Sequence, residues 1–340
     1  STSTKDVAKV LDDIGESPEA VAGALKSAYK QSAKQVAQTF KNMGKDATNI
    51  AKGLKSAFKQ STKDVAKTLD AVGIDSGEVG KALRYAYKQS AKNVAKTMKD
   101  IGKGGAAIGK ALQKGFRYNG KSAANMMKQV GVSSDQIGKA LQNTFKLSAN
   151  DAAKTFKSIG KGAADIGKTL KNTYRQNAEK ATRILNAIGV SMHDMSNVLK
   201  GVYRLNAENA AKTFKKIGKG ANDIANVMKS SYKQSAKDMA KVLDKAGVGI
   251  DEVGGALKNV YGQSAEQAAG TLKDIGKSAK DVGKVLKSTF KVSTKDAGKY
   301  LKKSFDLGKN GLKDALKGAG YSSKDVNKAL DKLWKSLKFW

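Results

Sequence analysis

A unit of 29 residues repeats along the chain without insertion, and this limits the possible folds more than any other feature. Aligned on one position, the repeats begin at Lys5, Lys34, Lys63, Lys92, Lys121, Asn150, Glu179, Glu208, Lys237, Glu266 and Lys295, with a shortened twelfth from Lys324 to Trp340. Self-similarity at fixed spacing marks an array of supersecondary units, each able to bury its apolar face only against its neighbours. A 340-residue chain of this kind grows in one dimension and needs no single large core.

Within a repeat the apolar spacing is helical. In the repeat from Lys34, Val36, Phe40 and Met43 stand at i, i+4 and i+7, and Ile50, Leu54 and Phe58 form a second such stripe. A Ser or Asn precedes the first stripe throughout, as at Ser32, Ser61, Asn119 and Asn206, in the place of a helix N-cap. Gly15, Gly44, Gly73, Gly102, Gly131, Gly160, Gly189, Gly218, Gly247 and Gly276 follow that stripe, where a left-handed C-terminal residue is needed. The second stripe closes on a ring, from Tyr29 and Phe58 through to Tyr261 and Phe290, read as a core anchor between neighbouring hairpins. Two helices of about 11 residues are too short to stand alone in water, so stacking must supply the stability. The expected fold is all-α, an α-solenoid of two-helix repeats with eleven full repeats and a partial one. Residues 1–294 are expected to form the regular array. Residues 295–340 are expected to form divergent terminal repeats, because Phe305 replaces the turn glycine and the chain closes on Leu333, Trp334, Leu337, Phe339 and Trp340. That end is read as a cap or an assembly junction.

The pattern of a Ser or Asn cap, a short amphipathic helix, Ile-Gly or Val-Gly, a second helix and a Tyr/Phe-Lys-Gln-Ser exit resembles short helical-hairpin arrays of bacterial secreted and surface proteins. That resemblance carries no defined activity. The architecture also resembles transcription-activator-like effector arrays, which wrap DNA with two-helix repeats. Their repeat is longer and has a variable base-reading pair at the turn; none occurs in this sequence, so the resemblance implies no base-by-base readout.

Most enzyme classes lack their parts here. There is no cysteine and a single histidine, His193, so neither a thiolate or polyhistidine metal site nor nucleophilic catalysis is expected, and no cofactor is called for. The segment Gly162 to Thr169 has the spacing of a phosphate-binding loop, but it falls on the second helix of its repeat rather than after a buried strand. No apolar run is long enough to span a membrane. The chain starts at Ser1 with no signal-peptide pattern, and a secreted or cell-surface location is favoured over a cytoplasmic one.

Charge supplies the functional reading. The formal net charge is +34, and it alternates: the even-numbered repeats from Lys34 to Glu266 carry +3 to +6 each, whereas odd ones from Lys5 to Lys237 carry −1 to +3. At the turn after the glycine, even repeats place Lys45, Lys103, Lys161, Lys219 and Lys277, while odd repeats place Glu16, Ile74, Val132, Val190 and Val248. Four residues before each of those lysines stand Lys41, Lys99, Lys157, Lys215 and Lys273. A lysine beside the free amides of the following helix start, as in Gly102-Lys103-Gly104-Gly105, makes an anion site. These ten lysines are therefore the candidate phosphate contacts. Hairpins stacked at about 8–10 Å would follow a path of about 100–120 Å, along which duplex DNA presents on the order of 60–70 phosphates. The expected partner is duplex DNA or another polyanion, bound without sequence preference. A self-assembling fibre or filament built through the apolar odd turns, or a binder of acidic polysaccharide or anionic lipid, is the alternative.

Overall fold

The computed structural model describes residues 3–337, which form 23 helices and no strand. The repeat from Lys34 shows why these residues fold this way. Ser32 caps the helix Ala33–Asn42, its hydroxyl accepting from the Gln35 amide while the Gln35 side chain accepts from the Ser32 amide. The helix ends where Gly44 takes a φ of 81° and the Lys45 amide donates to the Phe40 carbonyl at 3.0 Å, the six-to-one bond of a glycine-terminated helix. Asp46 then caps the second helix, Ala47–Phe58. The same caps recur at Ser61, Ser90, Asn119, Ser148, Asn177, Asn206, Ser235, Ser264 and Ser293.

The chain divides into two compact bodies, residues 1–175 and residues 176–340. Within each, packing is solenoid-like and two-layered: first helices lie on first helices of neighbouring repeats, and second helices on second helices. The core lies between these layers. Val36, Ala37, Ile50 and Leu54 are fully buried, and so are Val65, Leu69, Leu83 and their counterparts further on. Phe40, Phe156 and Phe214, on first helices of even repeats, are the bulkiest fully buried side chains. The second-helix rings from Phe58 to Phe290 are only half-buried, and Tyr29 is exposed. The anchoring role therefore passes to the first-helix phenylalanines, because the second-helix rings lie at the rim, where Phe58, Tyr87, Phe116, Tyr232, Tyr261 and Phe290 each sit under a lysine or arginine side chain rather than inside the layer. Close approach also matters: a Cβ on Gly80 would stand 2.5 Å from the Ala111 carbonyl oxygen of the adjoining second helix.

Beyond residue 294 the element lengths change. The helix Thr294–Phe305 runs for 12 residues to Asp306 in left-handed geometry, followed by Lys309–Gly318 and Ser323–Leu337. Trp334 is half-buried, with the Lys302 ammonium 5.6 Å from its ring centroid. Phe339 and Trp340, and the side chain of Leu337, lie outside the described residues.

Candidate polyanion interface

Within each body the lysines singled out by charge alternation lie along the first-helix layer, at the last turn of a first helix or at the glycine turn that follows it. Lys45 pairs with Asp12, Lys103 with Asp70 at 2.5 Å, and Lys277 with Asp244 at 2.5 Å. All five turn lysines are half-buried. At Lys161 and Lys219 the residue in the place of that aspartate is Lys128 or Asn186, and these two lysines make no ion pair among the described residues. The second set reaches the other way along the chain. Lys41 donates to the Val72 carbonyl at 2.6 Å, Lys99 to the Val130 carbonyl at 2.9 Å, and Lys215 to the Gly247 carbonyl. These ammonium groups satisfy orphan carbonyls at the end of the next repeat's first helix and sit at the negative end of its dipole. Lys157 is exposed at the same register; beside Lys273 the next first helix runs on to Phe305 and offers no glycine turn at that level.

The charge alternation thus has an internal use. At three of the five even turns an acid on the preceding odd repeat meets the turn lysine, and Lys41, Lys99 and Lys215 on even repeats cap the apolar turn of the following odd one. Val132 and Val248 in those odd turns are buried, and Ile74 and Val190 half-buried. The amides beside the even turns are not uniformly open either, since the Gly105 amide donates to the Gln136 side chain at 2.7 Å.

A parallel ladder ties the second helices together. Lys26 donates to the Ala57 carbonyl at 2.7 Å, Lys55 to Ala86 at 3.1 Å, and Arg84 to Gly115 at 2.6 Å. In the other body, Lys200, Lys229 and Lys258 do the same to Ser231, Val260 and Thr289. Each of these cations also covers the ring of the next repeat, as Lys55 does over Tyr87 at 5.0 Å. Tyr87 and Tyr261 in turn donate their hydroxyls to the Gln60 and Gln234 carbonyls, both at 2.9 Å. Burial pushes the phenols of Tyr87, Tyr174, Tyr203, Tyr232 and Tyr261 up to about 12.

A third row went unnoticed in the charge pattern. Directly after each ring the chain turns through one residue of positive φ, and that residue is Lys30, Lys59, Lys88, Arg117, Lys146, Arg175, Arg204, Lys233 or Lys291, with φ between 53° and 60°. Only Gly262 breaks the series. The left-handed region costs an L-residue roughly 1–2 kcal/mol and glycine nothing comparable. All nine cations are exposed, and none makes an ion pair or side-chain hydrogen bond among the described residues. A signal was present in the sequence: the ring is followed by Lys or Arg in nine of the ten regular repeats. The dipeptide marks the exit from the second helix, but lysine and arginine give no sign of a positive φ.

Other candidate chemistry is accounted for by packing. The phosphate-loop spacing from Gly162 runs into the helix Ala163–Asn172, where Thr169 is buried at 2% exposure. His193 is exposed, with Nδ1 3.3 Å from the Ser231 hydroxyl, which also receives the Ser196 hydroxyl at 2.7 Å. Among the described residues no group of three or more acids or histidines could hold a metal ion. No described helix is long and apolar enough to cross a membrane. Carboxylates are drawn into the lysine network: hydrogen bonds from Lys212 and then Lys245 hold Glu208 below the usual carboxylate range. No protein-family model matches the chain, and no curated protein matches it in sequence.

Proposed function

We propose that the protein binds polyanions, with duplex DNA as the reference ligand, through electrostatic contacts that do not depend on sequence. One observation carries the reading. Nine exposed lysines and arginines occupy a left-handed position that glycine fills without strain, and among the described residues they make no ion pair or side-chain hydrogen bond. A backbone cost accepted repeat after repeat for an unpartnered cation points to use of that charge outside the molecule. Neighbouring second helices are in contact, so within each body successive exit turns are separated by about one helix-packing distance, on the order of 8–10 Å. A row of point charges at that spacing suits a phosphate backbone better than a small ligand. The other cation rows supply a long-range field, while much of their local charge is used to cap turns and cover rings.

The test is a salt titration on nuclease-treated protein. Binding to mixed-sequence duplex DNA is expected to be tight at low salt and to fall linearly in log–log form as counterion release loses its advantage. Scrambling the sequence should leave affinity unchanged. Affinity that ignores salt, or that follows one sequence, would defeat the proposal.

A further inference from the structure

One exit turn differs from the rest. Beside the left-handed Lys59 and Lys88, the ends of the second helices Ala47–Phe58 and Ser76–Tyr85 enclose a groove of about 620 Å³. Its walls include Lys52, Lys55, Lys59, Lys88 and Tyr85, with Glu19 the one carboxylate among them. Tyr85 is 49% exposed, one of the few large apolar side chains so open among the described residues. At the same register the other regular repeats carry Ser27, Ser56, Lys114, Asn143, Asn172, Gly201, Ser230, Asn259 and Ser288. An aromatic ring thus appears once, at a position otherwise small or polar, in a groove where four of the other eight lining residues are lysines.

We propose that this groove is a subsite for an unpaired nucleotide, with the Tyr85 ring stacking on the base and the Lys52, Lys59 and Lys88 ammonium groups holding the flanking phosphates. The inference rests on the polyanion reading and narrows its ligand at this one place. Arg84 lies 5.0 Å from the Tyr85 ring centroid while its guanidinium donates to the Gly115 carbonyl, so one face of the ring is backed and positioned by the ladder. Lys55 is committed to the Ala86 carbonyl and to the Tyr87 ring, and it limits the floor of the groove rather than contacting ligand. Bases inside a duplex are stacked on one another and cannot reach such a ring. A strand end, a gap or a single strand can, and every base offers a π-face, so no sequence preference follows.

The experiment compares a labelled oligothymidylate with an abasic deoxyribose-phosphate strand of the same length, at one salt concentration, for wild type, Tyr85→Ser and Tyr85→Phe. Serine is what the two preceding repeats carry at this register, Ser27 and Ser56, and equal urea midpoints will show that each variant is folded. Wild type should prefer the base-bearing strand by about five- to 150-fold, the range for one stacked base. Tyr85→Phe should keep that preference, and Tyr85→Ser should lose it with abasic and duplex binding unchanged. Equal affinity of wild type for the two strands, or a preference that survives in Tyr85→Ser, would overturn the subsite while leaving duplex binding intact. Tighter binding to a sulfated oligosaccharide, lost in Tyr85→Ser, would overturn the nucleotide assignment. Failure to bind any of the strands or the duplex would overturn the polyanion reading and the subsite together.

Discussion

Replacing left-handed cations by glycine should stabilise this protein, and the size of the effect follows from the backbone. Lys88, Lys146 and Lys233 have φ of 55° and no side-chain partner among the described residues. Moving an L-residue into that region costs roughly 1–2 kcal/mol, and glycine removes the cost. Glycine also adds about 0.5–1 kcal/mol of unfolded-chain entropy, which opposes the gain. The net is about 0.5–1 kcal/mol per turn, or about 1.5–3 kcal/mol for the triple variant Lys88→Gly, Lys146→Gly, Lys233→Gly if distant sites add. The reverse change, Gly262→Lys, should destabilise by a similar amount per site, since Gly262 has a φ of 66°. Urea unfolding followed by helical circular dichroism reads both, and the slope of the transition must stay constant for the midpoints to be compared. A triple glycine variant that is less stable than wild type would show that these cations make stabilising contacts. The argument that they are kept for an external partner would then fall.

Two further outcomes follow from the packing. Phe214→Ala, at a fully buried first-helix position, should cost about 3–5 kcal/mol, whereas Phe290→Ala at a half-buried rim should cost clearly less; equal losses would contradict the two-layer assignment. Six phenols, including Tyr321, are pushed up to about 12 by burial, above the ordinary value near 10. Because the folded state holds these protons longer than the unfolded state, their contribution is complete below pH 10 and is lost as pH rises from 10 through 12. Tyrosinate absorbance and helicity should therefore change together in that window; tyrosinate forming near pH 10 with helicity intact would contradict it.

The helices were legible in the sequence because their signals are local. Ser32, Gly44 and the Val36 to Phe40 spacing each act within a turn or two, so caps, ends and faces can be read from adjacent residues. The partners of Lys45, Lys103 and Lys277 were not legible in that way. Asp12, Asp70 and Asp244 lie one repeat back plus four residues, and only stacking brings them within 2.5 Å in the latter two pairs. The alternation in charge is real, but half of its logic is internal complementarity between odd and even turns. Lys59 and its counterparts were hidden for a different reason. Lysine and arginine carry no propensity for positive φ, so no composition rule marks such a turn, and the strain shows only in the backbone.

The central claim is that exit-turn cations, rather than the turn lysines on the first-helix seam, meet the polyanion. Two variants separate the possibilities at equal charge: Lys59, Arg117, Arg175, Lys233 and Lys291 changed to Asn, a residue that tolerates left-handed backbone, and Lys45, Lys103, Lys161, Lys219 and Lys277 changed to Gln. The measurement is the slope of log affinity for duplex DNA against log salt. Each lost phosphate contact lowers that slope by about 0.9, so the exit-turn variant should fall by up to about 4–5 units while the seam variant moves far less. Equal slopes in the two variants, or a larger loss in the seam variant, would contradict the account.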